Sequence, residues 1–216
     1  MKKSVKERIL ETSIHLFQEH GYHGVTVEKI VTEAGTSKGG FYHNYKSKDE
    51  LLYEIHDVFI SYVIEKAEIS YVENKTPVSK LSAILHSFIK VFDMYKPYIT
   101  VFYEESAYLN DEFKQIINEK RDRYRKLLQK VIEEGQESGD FRKELPPNIV
   151  TMAIIGMINW TYKWFKQDGP LTMEEITAVF KDLILHSIVT EKGFEEAKHL
   201  NQLLSFAGVI QTDLSV

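Results

Sequence analysis

Residues whose types and spacing could do chemistry crowd into one short stretch. Between positions 26 and 48 stand Thr26, Thr36, Ser37, Lys38, Gly39, Gly40, Tyr42, His43, Asn44, Lys46 and Lys48. Hydroxyls at helix starts leave backbone N–H groups free to receive a phosphate. Lysines, a tyrosine and a histidine along the following element add donors to an anionic backbone or to base edges. Two adjacent glycines are poor helix formers, each costing up to ~1 kcal/mol against alanine. They make sense where main chain must approach a partner closely. The chemistry on offer is non-covalent recognition of double-stranded DNA. A tight helical hairpin with a solvated lysine rim would show the same spacing.

Other chemistries find little support. There is no cysteine, which excludes disulfides, thiolate catalysis and cysteine-bound zinc. His20 and His23 have an i,i+3 spacing, but Gly21 lies between them in a helix stop and no acidic ligand stands nearby. His186 and Ser187 are adjacent and point to different faces of a helix. Nucleophile-elbow, Walker and dinucleotide-binding signatures do not occur. The expectation is no catalysis, no metal and no cofactor. A helical enzyme or interaction module without DNA binding is the rival from another class.

The chain has 216 residues, 43% of them hydrophobic, enough for a real core. Its net charge of −5 is unusual for a DNA binder. Residues 1–50 carry +1 and the remainder −6, so any basic patch is local. The N-terminus is charged and amphipathic, unlike a secretory signal. The run from Ile149 to Phe165 contains Thr151, Asn159 and Lys163 and falls short of a membrane span. The expected location is the cytoplasm, with no membrane partner.

The elements that position these residues read as an all-α chain, with no clean period-2 alternation. A first helix is expected over Val5 to His20, stopped by Gly21. Thr26 caps a second, Val27 to Ala34, which ends at Gly35. Thr36 or Ser37 caps a third, through Tyr45, and Ser47 a fourth that turns Leu51, Leu52, Ile55, Val58, Phe59 and Tyr62 inward. Further helices are expected over 78–94, over 98–107 after a break at Pro97, from Asn110 to Glu137, over 148–166 and over 173–189. The segment 26–45 therefore has the layout of a helix-turn-helix, whose second helix enters the major groove. The expected division is a DNA-binding domain at 1–50, a ligand-binding and dimerisation domain at 51–190 and an extension at 191–216 with room for one short helix.

The run Gly21-Tyr22, Thr26-Val27, Ile30, Ala34-Gly35, Ser37-Lys38-Gly39, Phe41-Tyr42, Tyr45, Lys48, Glu50-Leu51-Leu52 closely resembles the TetR/AcrR repressor family. The resemblance implies an all-α homodimer with an N-terminal helix-turn-helix. It implies that Thr26, Ser37, Lys38, Gly39, Tyr42, His43 and Lys48 touch DNA, mostly at phosphates. Phe41 and Asn44-Tyr45 depart from the usual residues, leaving Asn44 open between losing a phosphate contact and gaining a base contact. Gly40 stands where a small polar residue is common, so fewer bases would be read there.

In that family the last two long helices pair with their mates across a two-fold axis. Ile154, Ile158, Ile176, Val179, Phe180, Leu183 and Ser187 are the expected interface. Phe92, Tyr95, Phe102, Tyr103, Phe113, Arg121, Tyr124, Met157, Trp160 and Trp164 are the expected walls of an effector pocket, with Arg121 at its mouth. The segment from Gly156 to Phe165 with Gly169-Pro170-Leu171 is similar to regulators of fatty-acid and sterol breakdown that answer acyl-coenzyme A. The expected partners are operator DNA, a second copy of the chain and a small hydrophobic effector, with a long-chain acyl-coenzyme A as the first candidate. The alternative effector is a hydrophobic drug, as in efflux-controlling relatives.

Overall fold

The structure is a computed structural model. It describes residues 3–166 and 168–204; the side chains at 89, 90 and 92–95 lie outside the description. The pocket expectations at Phe92 and Tyr95 therefore fall outside the described side chains.

Among the described residues the chain is helical, apart from one isolated antiparallel bridge between Phe141 and Val189. The helices are α1 (Val5–His20), α2 (Val27–Glu33), α3 (Lys38–Asn44), α4 (Lys48–Glu73), α5 (Pro77–Glu104), α6 (Asp111–Ser138), α7 (Pro147–Asn159), α8 (Thr161–Trp164), α9 (Met173–Ile188) and α10 (Glu191–His199). A 3₁₀ turn, Ser106–Tyr108, joins α5 to α6. No described helix is long and apolar enough to cross a membrane.

Local chemistry sets the short N-terminal helices. Ser4 and Glu7 form a reciprocal capping box on α1, a signal the sequence reading passed over. Gly21 ends α1 at φ +67°, a conformation that costs glycine little. Thr26 and Ser37 cap α2 and α3 by accepting from the N–H groups of Lys29 and Gly40.

Two helical expectations are corrected. Pro97 does not break the chain there but sits inside one continuous α5. A proline removes only its own N–H bond, and the surrounding turns carry the helix past it. Conversely, 148–166 is not one helix. It divides at Trp160 into α7 and the four-residue α8.

The chain forms two compact units, residues 1–63 with 93–122, and residues 64–92 with 123–216. The first unit thus takes in more than the segment 1–50. Its core holds Ile9, Phe17, Ile30, Phe41, Tyr45, Leu51, Leu52, Ile55, Phe59 and Phe102, all almost fully buried. Each large side chain so buried contributes about 1.5–3 kcal/mol.

The second unit is built on Leu81, Leu85, Leu128, Val131, Ile132, Phe141, Ile154 and Leu185. Its end is fastened by α10. Thr190 donates its N–H to the Asp140 carbonyl at 2.9 Å, and Arg142 donates its N–H to Ile188 O at 2.8 Å. Lys192 lies 2.8 Å from Oδ1 of buried Asp140, an ion pair without hydrogen-bond alignment. A Cβ on Gly193 would sit 2.1 Å from the Asp140 carbonyl oxygen, so only glycine fits.

Candidate nucleic-acid interface and effector site

Helix α3 is divided cleanly by its environment. Phe41 and Tyr45 point inward, at 0% and 1% exposure. Lys38, Gly39, Tyr42, His43 and Lys46 are exposed on the other side. Tyr42 leaves 56% of its surface in solvent, which is unusual for an aromatic with no partner but reasonable for one that meets a ligand. Lys38 is held loosely by Glu28 at 3.4 Å, a surface pair worth little and easily exchanged for a phosphate.

Gly40 has a steric reason. A Cβ there would lie 2.4 Å from the Thr36 hydroxyl, so glycine lets that side chain fold over the start of α3. Asn44 donates its side-chain amide to Gly40 O at 2.8 Å and is half-buried. That bond uses one of the two amide N–H donors of Asn44 within the helix.

Lys48, expected at a phosphate, spends two of its three donors inside the protein. Its ammonium donates to the carbonyls of Tyr22 and Val25, each at 2.7 Å, and lies 4.0 Å from the centre of the Tyr22 ring. Burial lowers its pKa, with nearby Asp49 opposing the shift. The Tyr22 hydroxyl donates to Asp49, and burial followed by that carboxylate raises its pKa. The reason is the connection between α1 and α2: its two carbonyls have no helical partners, and a lysine at the start of α4 supplies the missing donors.

The expected pocket residues are divided between the two units. Phe102, Tyr103, Phe113 and Arg121 belong to the first unit; Tyr124, Met157, Trp160 and Trp164 belong to the second. In the first, Phe102 is buried among Phe59 (ring centroids 4.7 Å), His56 (5.2 Å) and Tyr103 (5.2 Å). The Arg121 guanidinium covers the Phe102 ring at 4.4 Å. Phe113 stacks instead on Tyr53 at 4.5 Å.

His56 was missed in the sequence. Nothing in its spacing separates it from a helix-surface histidine, yet it is fully buried. Burial, and then the nearby Arg121 charge, bring its pKa down to about 4 against the opposing pull of the Leu52 and Phe102 carbonyls.

In the second unit, burial pushes the Tyr124 hydroxyl up to about 12. Trp160 and Trp164 are 63% and 44% exposed, so they do not line an enclosed pocket within this protomer. A crevice lined by Leu85, Phe88, Ile158, Met173 and Phe180 has a volume of about 10 Å³, room for one water at most.

The interface expectation also shifts. Ile154, Ile158 and Ile176 are buried within the protomer, at 3–6% exposure, and Phe180 is half-buried. The exposed apolar stripe of α7 runs through Ile149 and Met152 to Trp160, while Val179, Leu183 and Ser187 are exposed on α9. With 100° per residue, the sequence reading chose the inner stripe of α7 and partly the outer stripe of α9.

A capped α2, a tight turn and an α3 with a buried aromatic inside and donors outside define a helix-turn-helix DNA-binding regulator. Residues 9–55 match bacterial regulatory proteins of the tetR family, and residues 74–188 match the tetracyclin repressor-like C-terminal domain. The chain belongs to the TetR family of transcriptional regulators.

It is 23% identical over 198 residues to the HTH-type transcriptional repressor KstR2 of Mycolicibacterium smegmatis, covering 90% of this chain and 95% of that one. It is 25% identical over 182 residues to the fatty acid metabolism regulator protein of Bacillus subtilis, covering 84% and 94%. The crystal structure of AibR in complex with isovaleryl coenzyme A and operator DNA superposes with a TM-score of 0.72. That match has 26% identity and covers 81% of this chain and 94% of AibR.

Proposed function

We propose that the protein is a cytoplasmic repressor of lipid- or fatty-acid-metabolism genes, holding operator DNA as a homodimer and leaving it when an acyl-coenzyme A binds. The outward set Lys38, Tyr42 and His43 on α3, with Lys46 just past its end, is the observation that carries the DNA reading. Thr26, Thr36 and Ser37, with the exposed backbone at Gly39, complete the surface offered to phosphates. Lys48 and Asn44 shape that surface from within, each keeping one side-chain donor beyond these bonds.

The dimer reading places α7 and α9 against their mates. The exposed stripe of Ile149, Met152, Trp160, Val179 and Leu183 is an apolar surface that water covers poorly in a monomer. The relative that regulates fatty acid metabolism and the solved complex with isovaleryl coenzyme A support the choice of effector. The aromatic walls at Phe102 and Tyr103 and the Arg121 cation suit an apolar chain joined to a polar head.

Titration of the operator complex tests the reading. DNA affinity falls roughly a thousandfold between 50 and 200 mM salt if several phosphates are held. Acyl-coenzyme A thioesters of increasing length release the complex and free coenzyme A does not, because each buried methylene adds about 0.8 kcal/mol. A flat salt response removes the DNA reading. Release by a planar cationic drug and by no thioester replaces the lipid effector with an efflux-type one.

A further inference from the structure

We infer that Glu28 reads a base: when Lys38 takes up a phosphate, the Glu28 carboxylate accepts from the amino group of a cytosine in the major groove. The inference rests on the reading of α3 as the DNA surface and adds a specificity-determining residue to it.

Glu28 stands on α2, two positions after the Thr26 cap. Its side chain is 76% exposed, and among the described residues its carboxylate meets only the Lys38 ammonium, at 3.4 Å. That contact places the acid at the edge of the outward set of α3. Tyr42, four positions after Lys38, is exposed on the same face. On α2 the exposed Thr32 stands four positions after Glu28, while Ile30 and Val31 turn into the core. Thr32 donates its hydroxyl to the Glu28 carbonyl at 2.9 Å and leaves the carboxylate untouched. Glu33, the other carboxylate of α2, lies at the far end of the helix, about 140° round its axis from Glu28.

A carboxylate has the wrong charge for this place. Double-stranded DNA carries one negative charge per about 1.7 Å of its axis, and its phosphate oxygens only accept. An acid among phosphate-binding residues opposes every duplex alike unless the groove supplies it with a donor. The pair with Lys38 does not remove the difficulty, because an exposed ion pair is weak and a phosphate displaces Glu28 from it. The freed carboxylate is then an acceptor with no donor from the protein.

Base edges decide which donor completes it. In the major groove only the cytosine N4 and adenine N6 amino groups donate. Guanine offers O6 and N7 and thymine O4, all acceptors that repel a carboxylate. Adenine sets its N7 acceptor beside the amino group, against the second carboxylate oxygen. Cytosine has no such neighbour. One acid therefore favours cytosine and works against the other three bases, which is specificity by attraction and repulsion together. Lys38, Tyr42 and the capping hydroxyls hold phosphates whatever the sequence.

The test selects duplexes with full-length wild type, Glu28→Ala and Glu28→Gln from double-stranded DNA randomised over about two helical turns, then titrates the winners with each base at the chosen position. Wild type enriches cytosine at one symmetric position of each half-site, and replacing it with thymine weakens binding about tenfold. Glu28→Ala brings the four bases to within about twofold and binds duplexes lacking the cytosine more tightly than wild type does. Glu28→Gln prefers adenine, because an amide pairs with N6 and N7 together. Both variants keep the wild-type salt slope, since no phosphate contact is lost, and melt with wild type, since the side chain is exposed. The same consensus from all three proteins overturns the inference and leaves the DNA reading standing. So does a loss of affinity in Glu28→Ala that is equal for every sequence. Enrichment of no duplex by wild type overturns the DNA reading itself.

Discussion

The backbone N–H of Tyr22 donates to the carboxylate of Glu105 at 3.1 Å, joining positions 83 residues apart in the chain. Tyr108 reinforces the joint, with its ring stacked on Tyr22 at 5.9 Å and edge-on to His23 at 4.3 Å. The turn between α1 and α2 is thus tied to the last turn of α5. Glu105→Ala leaves a buried N–H without an acceptor, a loss of about 1–3 kcal/mol. Urea denaturation should show a lower midpoint for Glu105→Ala and a smaller change for Glu105→Gln, which keeps an acceptor oxygen. Equal midpoints for all three proteins would show that the joint contributes nothing to the fold.

Lys48 and Lys38 should separate stability from DNA affinity. Lys48→Met withdraws the donor from two carbonyls, at a cost of about 1.5–3 kcal/mol for a charged hydrogen-bonding group. Lys38→Ala leaves stability within about 0.5 kcal/mol of wild type and reduces the slope of log affinity against log salt by about one. Melting curves and operator titrations over a salt series measure both. A Lys48→Met protein that melts with wild type would return Lys48 to the DNA surface.

Stability should fall in mild acid, and His56 sets the window. Its folded pKa of about 4 lies below the ordinary 6.5. The unfolded chain therefore takes up a proton near 6.5 that the native ring refuses until about 4. The resulting stabilisation is complete above 6.5 and is lost as pH falls from 6.5 to 4, amounting to about 3 kcal/mol. The charged group that bears on the ring from α6 is Arg121, which stays protonated throughout this range. Denaturant midpoints at about pH 7.5 and pH 5 should differ more for wild type than for His56→Phe. An identical pH dependence in the two proteins would contradict the buried neutral histidine.

The two faces of α7 and α9 predict opposite outcomes for one kind of substitution. Leu183 is 54% exposed in the protomer, so Leu183→Glu should give a folded monomer with weakened operator binding. Ile158 is 5% exposed, and Ile158→Glu puts a charge into the core and should unfold the chain. Sedimentation velocity with circular dichroism distinguishes them. A Leu183→Glu protein that sediments as a dimer would move the interface elsewhere.

Much of the DNA-binding end was legible because its signals are local. A hydroxyl three residues before the N–H it caps, and a glycine at a positive φ, declare themselves within a few positions. The stop of α1 at Gly21 and the caps at Thr26 and Ser37 follow from such short-range rules. The inward contacts of Lys48 were not legible because its partners, the carbonyls of Tyr22 and Val25, lie more than 20 positions back and carry no side-chain mark. His56 was invisible for a related reason: its burial depends on Phe102, which α5 brings in from 46 positions away. The inner stripe of α7 was taken for the outer one because isoleucines occupy both, and composition alone does not say which face meets the rest of its own unit. Pro97 misled because a single missing hydrogen bond was weighed as a helix stop.

The tight approach of Gly193 to the Asp140 carbonyl has a practical consequence for anyone cutting this gene. The family match ends at residue 188, and a cloning boundary drawn there would look safe. It would remove Thr190, whose N–H satisfies Asp140 O, and Lys192, which neutralises the buried Asp140 carboxylate. The shortest fragment that folds is therefore longer than the conserved pattern. Screens of random substitutions should find Gly193 as unforgiving as a core isoleucine, although it stands in what reads as a dispensable extension.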